Sequence, residues 1–309
     1  TLTGYAFMKM LLGALGYDAS REGYTGPNWS IAVGKRALNA GLADDLVGDF
    51  NGVKAVTREE ACLYAFNMLQ ADMVEYEKNS TITVGNVTVT DNSAAKSKRW
   101  SSSSVNDGNI DSKGGDNYVQ FAEEYFNKLV KESDKSDDFG RPATKWTYKG
   151  VKVGTYAKTA DATYTENVKL GTIYADLKMS DKDEKAVVYV DGNKAVDFAN
   201  VKKGNDLKLA DVKFANPSTG CNVGNGALTE VYLDRDTNKV TIVCINTYVA
   251  EVNKAIAATK SKDAYITLTA ITGSARPGDE FEATGFESDD VVLYTYAANE
   301  IKSVEKAES

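Results

Sequence analysis

Arg58 and Trp29 are the side chains of this chain with the clearest means of gripping a ligand. A planar guanidinium such as that of Arg58 can hold a carboxylate through two parallel hydrogen bonds. At a helix start the same group can equally pair with a neighbouring glutamate. Trp29 offers a flat apolar face with a polar N–H at its edge, although an aromatic at helical spacing commonly serves as core. The residues that are missing narrow the chemistry further. The 309 positions include no histidine, which removes the commonest general base and the commonest zinc ligand. Ser-His-Asp, Cys-His and HExxH machinery is thereby excluded within the chain. Carboxylates are plentiful, but nothing in the sequence sets two of them across a sugar. Glu123 and Glu124 are adjacent on an expected helix and point different ways. No catalytic residue is identified, and the chain is read as a non-enzymatic protein.

Other constellations weaken on inspection. Asp234-Arg235-Asp236-Thr237-Asn238 imitates the opening of a calcium loop, yet Lys239 stands where Gly is needed and Ile245 where a bidentate Glu is needed. It is read as a turn between strands. Asp44, Asp45 and Asp49 form an acidic loop that is read as solvated. Asn222-Val223-Gly224-Asn225-Gly226 has close glycines but no phosphate-binding Lys, and it precedes a strand rather than a helix. No metal and no cofactor are expected. Cys62 lies in an apolar helical run and is read as a small buried residue. Cys221 and Cys244 could pair if the segment between them brings them within disulfide reach.

Composition sets the outer bounds. Forty-four acidic against 36 basic residues give a net charge of −8, which argues against a nucleic-acid partner. The 42% of hydrophobic and 26% of charged residues are ordinary for globular domains. No run of eighteen or more apolar residues is present, so no membrane span is expected.

The elements that would position Arg58 and Trp29 come from a pattern that occurs twice. Leu2-Thr3, followed by an apolar run to Gly16, recurs 54 positions later as Val56-Thr57, followed by a run to Gln70. Thr is a good N-cap, and Glu60 three residues after Thr57 completes a capping box. The spacing puts Phe7, Leu11 and Leu15 on one face of the first helix. It puts Cys62, Phe66 and Leu69 on one face of the second, and Trp29, Val33 and Ala37 on one side of a helix between them, stopped at Gly41. Beyond position 76 the composition changes. Ile82 to Val89 reads as a hairpin, 91–117 as a polar loop, and Tyr118 to about Lys131 as a helix burying Phe121, Tyr125, Phe126 and Leu129. From Lys145 onward strands alternate with turns at Lys149-Gly150, Asp191-Gly192-Asn193 and Asp234 to Asn238, until the pattern breaks near Glu251. The scarcity of Pro and the abundance of Thr, Val and Tyr suit antiparallel sheets. The fold class expected is thus α+β and multidomain: helical repeats over 1–76, a β-rich domain over 77–255 with one helix near 118–131, and a small β unit over 256–309.

Val56-Thr57-Arg58-Glu59-Glu60 resembles the hydrophobic-Thr-Arg-Ala-Glu turn of the S-layer homology family, with the Ala replaced. Leu2-Thr3-Gly4-Tyr5-Ala6 matches in outline but lacks the Arg and the Glu. Asn28 to Leu42 is similar to the other helix of that repeat, and Ala43 to Ala55 to its acidic, Gly-containing loop. The resemblance covers residues 1 to about 76, roughly a quarter of the chain. Such domains usually carry three repeats, so it implies a piece that begins inside a repeat, with an export signal upstream. It further implies an extracellular, cell-wall or S-layer location and a cell-wall polysaccharide as partner, with Arg58 facing an inter-repeat groove and Trp29 as a platform for a sugar face. Gly4 stands where the first copy's Arg would be. The function expected is a surface protein tethered to secondary cell-wall polysaccharide, with β-domains for self-assembly or surface contact. The alternatives are a wall-associated glycan hydrolase, and an adhesin or filament subunit.

Overall fold

The computed structural model describes residues 1–77, 80–84, 87–91, 94–102, 104–110, 116–179, 184–195, 199–208, 227–237 and 239–307. The chain divides into two compact units, one of residues 1–133 and 145–154, the other of 134–144 and 155–309.

The first unit opens with the three helices that the caps and spacing predict: α1 (Gly4–Ala14), α2 (Trp29–Asn39) and α3 (Arg58–Gln70). Thr3 Oγ1 accepts from the Ala6 N–H at 3.3 Å. At α3 the box is reciprocal, with Glu60 N donating to Thr57 Oγ1 at 3.1 Å and Thr57 N donating to a Glu60 carboxylate oxygen at 2.7 Å. Met8, Leu11, Leu12, Leu15, Val33, Ala37, Leu42, Tyr64 and Met68 share one core. The buried face of α3 therefore differs from the expected one. Tyr64 and Met68 turn inward, whereas Cys62 is exposed and Phe66 is 42% exposed. The two faces lie on nearly opposite sides of the helix, since two positions turn it by about 200°, and the bulky Tyr64 ring takes the inner side by meeting Phe7 and Phe50.

A two-residue strand β1 (Val74–Glu75), at the end of the stretch expected to be helical, pairs antiparallel with β4 (Lys96–Ser97), inside the 91–117 stretch expected to be loop. Between them β2 (Ser80–Val84) and β3 (Val87–Asp91) form the anticipated hairpin. The helix expected over 118–131 shrinks to α4 (Phe121–Tyr125). Ala122 and Glu123 are its buried residues, while Tyr125 and Phe126 are exposed. The chain leaves the helix at Phe126 because Lys131 N is already donating to the Asn109 carbonyl at 2.7 Å, at the start of a strand. That strand, β5 (Leu129–Ser136), is followed by β6 (Pro142–Tyr148) and β7 (Val151–Ala157) in a three-stranded sheet of that order. Lys149 and Gly150, both with positive φ, make the tight turn between β6 and β7.

In the second unit β8 (Ala162–Tyr164), α5 (Leu170–Asp176), β9 (Glu184–Val190), β10 (Asn193–Lys194), β11 (Ala199–Val201), β12 (Ala227–Asp234) and β13 (Lys239–Asn246) follow in turn. Their strands form a six-stranded sheet of order β10-β9-β13-β12-β8, with β11 also on β9. β9 and β13 run parallel, and the other pairs are antiparallel. From Val240 to Asn246 every residue of β13 is buried, so Val240-Thr241-Ile242-Val243-Cys244-Ile245 is a central strand covered on both faces. Val240, Ile242 and Cys244 pack with Leu170 and Ile173 of α5, a helix that the sequence reading did not anticipate. On the other face Val243 and Ile245 meet Phe139, Tyr232 and Ala297.

One residue later the chain enters a second sheet. β14 (Tyr248–Ile256), β15 (Tyr265–Ala270), β16 (Glu280–Glu282), β17 (Val291–Ala297) and β18 (Glu300–Lys306) pair antiparallel throughout, in the order β16-β15-β14-β17-β18. The break expected near Glu251 falls inside a continuous β14, whose register shifts at Val252/Lys254 are the local irregularity. The chain is β-rich with several antiparallel sheets, and among the described residues no helix is long and apolar enough to cross a membrane.

Candidate functional site

The two helix starts of the repeated pattern lie side by side. Thr3 and Ala55 form an antiparallel bridge, Val56 N donates to the Leu2 carbonyl at 3.0 Å, and Gly4 N donates to the Lys54 carbonyl at 3.0 Å. Tyr5 N adds a bond to the Gly52 carbonyl at 2.8 Å. This pairing places the first turn of α1 directly against the loop that leads into α3. It also explains why the first copy has no Arg: a β-carbon at Gly4 would meet the Asn51 carbonyl oxygen at 3.1 Å and the Phe50 ring at 3.3 Å. No long side chain fits there.

Arg58 is the first residue of α3, is exposed, and makes no hydrogen bond, ion pair or ring contact among the described residues. The pairing with Glu59 or Glu60 that its position allowed does not form. Glu60 instead spends its carboxylate on the Thr57 N–H, and that bond holds its pKa below the ordinary value. A cation in the first turn of a helix opposes the helix dipole, so Arg58 contributes nothing to α3.

Trp29 is half-buried at the start of α2 and belongs to the margin of the helical core. Its ring lies edge-on to Tyr5, at 6.4 Å between centroids and 76° between planes, and Tyr5 continues to Phe50 at 5.7 Å and 81°. Tyr5 occupies a slot that the small residues Gly34 and Gly52 leave open, since a β-carbon at either would collide with its ring. Lys9 Nζ sits 5.3 Å from the Trp29 centroid and donates to the Tyr24 carbonyl at 2.7 Å. Trp29 therefore presents an aromatic surface beside a cation. No contact joins Trp29 to Arg58; each belongs to a different helix start.

A polar belt on the same unit was not legible in the sequence. Arg36 Nη2 donates to Glu22 at 2.7 Å, the Tyr76 hydroxyl donates to the other Glu22 oxygen at 2.9 Å, and Asp18 N donates to Tyr76 at 3.0 Å. Arg36 lies 5.1 Å from the Tyr17 ring centre and Arg21 4.7 Å from that of Tyr76. Burial, helped by the nearby Glu22 charge, pushes the Tyr76 hydroxyl up to about 12. The belt closes the loop between α1 and α2 onto the residues after α3. Its partners are up to 58 positions apart, which no local pattern announces.

Elsewhere the sequence readings divide. Asp234 Oδ1 accepts from the N–H groups of Asp236 and Thr237, so that motif is a turn. Among the described residues no group of three or more acidic or Cys side chains could hold a metal, and this includes Asp44, Asp45 and Asp49. Glu123 is wholly buried and accepts from the Gly108 and Ile110 N–H groups, whereas Glu124 turns to Lys98 at 3.1 Å. The glycines of 222–226 lie outside the described residues, as does Cys221. Cys244 is disulfide-bonded and Cys62 is a free thiol. Compared with protein-family models, with curated proteins and with solved structures, the chain matches none.

Proposed function

We propose that this chain is part of a non-enzymatic cell-surface protein whose helical N-terminal unit grips an anionic cell-wall polysaccharide, with the β-sheets as the outward portion available for assembly or surface contact. The observation that carries the reading is Arg58: an exposed guanidinium, unpaired among the described residues, fixed at the mouth of a fully capped helix and serving no need of that helix. A guanidinium in that state suits a sugar carboxylate or ketal-linked acid, which it can meet with two parallel bonds. Trp29, half-exposed beside Lys9, adds a stacking surface of the kind that sugar rings use. The disulfide at Cys244 supports export, because such bonds persist in oxidising surroundings. The likeness of Val56 to Glu60 to the S-layer homology turn points the same way.

The test is retention of the purified chain on cell-wall sacculi before and after the secondary polysaccharide is chemically stripped. Binding that disappears on stripping, and that falls in Arg58→Ala, supports the proposal. Equal retention on stripped and intact walls overturns it.

A further inference from the structure

The six-stranded and five-stranded sheets of the second unit are joined in sequence by Thr247 alone, since β13 ends at Asn246 and β14 begins at Tyr248. A one-residue connection fixes distance but leaves the angle between two sheets free unless side chains set it. Here one carboxylate gathers the groups on both sides of the connection. Asp191 Oδ1 accepts from the Asn246 N–H at 2.9 Å, and Asp191 Oδ2 accepts from the Asn246 side-chain amide at 2.8 Å and from the Tyr248 hydroxyl at 2.6 Å. The last residue of one sheet and the first of the next are thus tied to the same two oxygens.

Asp191 is itself held for the task. It sits with Gly192 in the turn after β9, with φ of 47° and 79°, and its N–H donates to the Cys244 carbonyl at 3.0 Å. A side chain at Gly192 would run into the Asp138 carbonyl, so the turn is pressed against the loop between β5 and β6. On the far side the Tyr248 ring packs against that of Tyr294, tilted by 39° at 5.5 Å, and the Tyr294 hydroxyl donates to the Thr272 carbonyl at 2.6 Å, in the loop after β15. The carboxylate orients the Asn246 side chain, whose buried Oδ1 has no hydrogen-bond partner among the described residues.

We infer that Asp191 is a latch: its carboxylate sets the angle between the two sheets, and while it is engaged they move as one rigid body about a connection that would otherwise hinge at Thr247. Phe139, Tyr232, Val243, Ile245 and Ala297 form the apolar seal that the latch keeps closed. The role is conformational and is independent of any ligand on the helical unit.

Segment-resolved hydrogen exchange on the full chain tests it, comparing wild type with Asp191→Asn and Tyr248→Phe. Asp191→Asn keeps the shape but loses the anionic acceptor, and amide exchange at Asn246 and Tyr248 is expected to rise at least about 10-fold. Exchange in the interiors of β12, β15 and β17 should stay within about 2-fold of wild type. Tyr248→Phe, which removes one donor and keeps the ring contact, should give a smaller rise at the same amides and serves if Asp191→Asn does not fold. The double variant should open no further than Asp191→Asn alone, as for partners in one contact. Exchange that rises evenly across both sheets would show a general loss of stability rather than a latch and would overturn the inference. Unchanged exchange at Asn246 and Tyr248 would do the same.

Discussion

Gly4 runs against Gly52 so closely that a β-carbon on Gly4 would lie 3.0 Å from the Gly52 Cα. Two segments that look like copies in sequence thus have unequal room: Leu2-Thr3-Gly4 pairs antiparallel with Lys54-Ala55-Val56, whereas Thr57 and Arg58 lie beyond that pairing. One copy faces backbone and must be small; the other faces solvent and can carry a guanidinium.

Gly4→Ala should therefore destabilise the helical unit by about 1–2 kcal/mol, although Ala ordinarily improves a helix by up to about 1 kcal/mol. Thermal unfolding decides the sign. A gain in stability would show that the two segments separate more easily than their hydrogen bonds imply.

Arg58→Ala, by contrast, should leave the unfolding free energy within about 0.5 kcal/mol of wild type, since no contact among the described residues uses the guanidinium. Retention on intact cell walls should drop at least about 10-fold, equivalent to roughly 1.4 kcal/mol. Arg58→Lys should recover only part of it, because a point charge replaces a two-pronged donor.

The capping box gives a control at the neighbouring position. Thr57→Ala removes the acceptor for the Glu60 N–H and should cost about 1 kcal/mol of stability. Wall retention per folded molecule should be preserved, and a parallel collapse of retention would mean that Arg58 depends on the cap for its pose.

Asp191 has a pKa raised above its ordinary value, chiefly because burial penalises the charge, with the bonds from Tyr248 and Asn246 opposing. A raised acid binds its proton more readily folded than unfolded, so its contribution to stability is fully present below the unfolded value and is lost as pH rises through the folded one. Wild type should therefore gain stability relative to Asp191→Asn as pH falls through that window. Urea titrations of both proteins across it measure the difference, and a gap that widens in the opposite sense would refute the assignment.

Cys62 should react with a thiol reagent in the folded chain, while Cys244 stays unreactive until a reductant is added. Reduction should lower stability by about 2–4 kcal/mol. Mass mapping of the labelled cysteines separates the two.

How much of this was legible follows the range of the interactions. Caps located α1 and α3 because Thr3, Thr57 and Glu60 act within one helical turn, and the spacing of Trp29, Val33 and Ala37 located α2, which has no side-chain cap. Strand pairs closed by tight turns, such as Lys149-Gly150, were equally visible. The inner face of α3 was misread because Cys62, Phe66 and Leu69 offer an apolar stripe almost as good as Tyr64 and Met68, and only the neighbouring rings decide between them. The short α4 was overextended because its aromatic run keeps helical spacing after Lys131 has been claimed by Asn109. Arg58 could be named from a motif, but its freedom could be known only from the absence of a partner in space. The Glu22–Arg36–Tyr76 belt and the Asp191 junction join residues more than fifty positions apart or turns of unlike kind, and no period or spacing encodes them.

The placement of β13 between β9 and β12 dictates an order of events during synthesis. β8 and the inner edge of β9 emerge first, yet both wait for partners made later, because β12 must pair with β8 and β13 must slide between β12 and β9. A chain leaving the ribosome keeps the β8 edge open until β12 has emerged and the inner edge of β9 open until β13 has. The last step is the insertion of β13, which alone joins the β9 side of the sheet to the β12 side, so the two halves stay separate until the final strand is made.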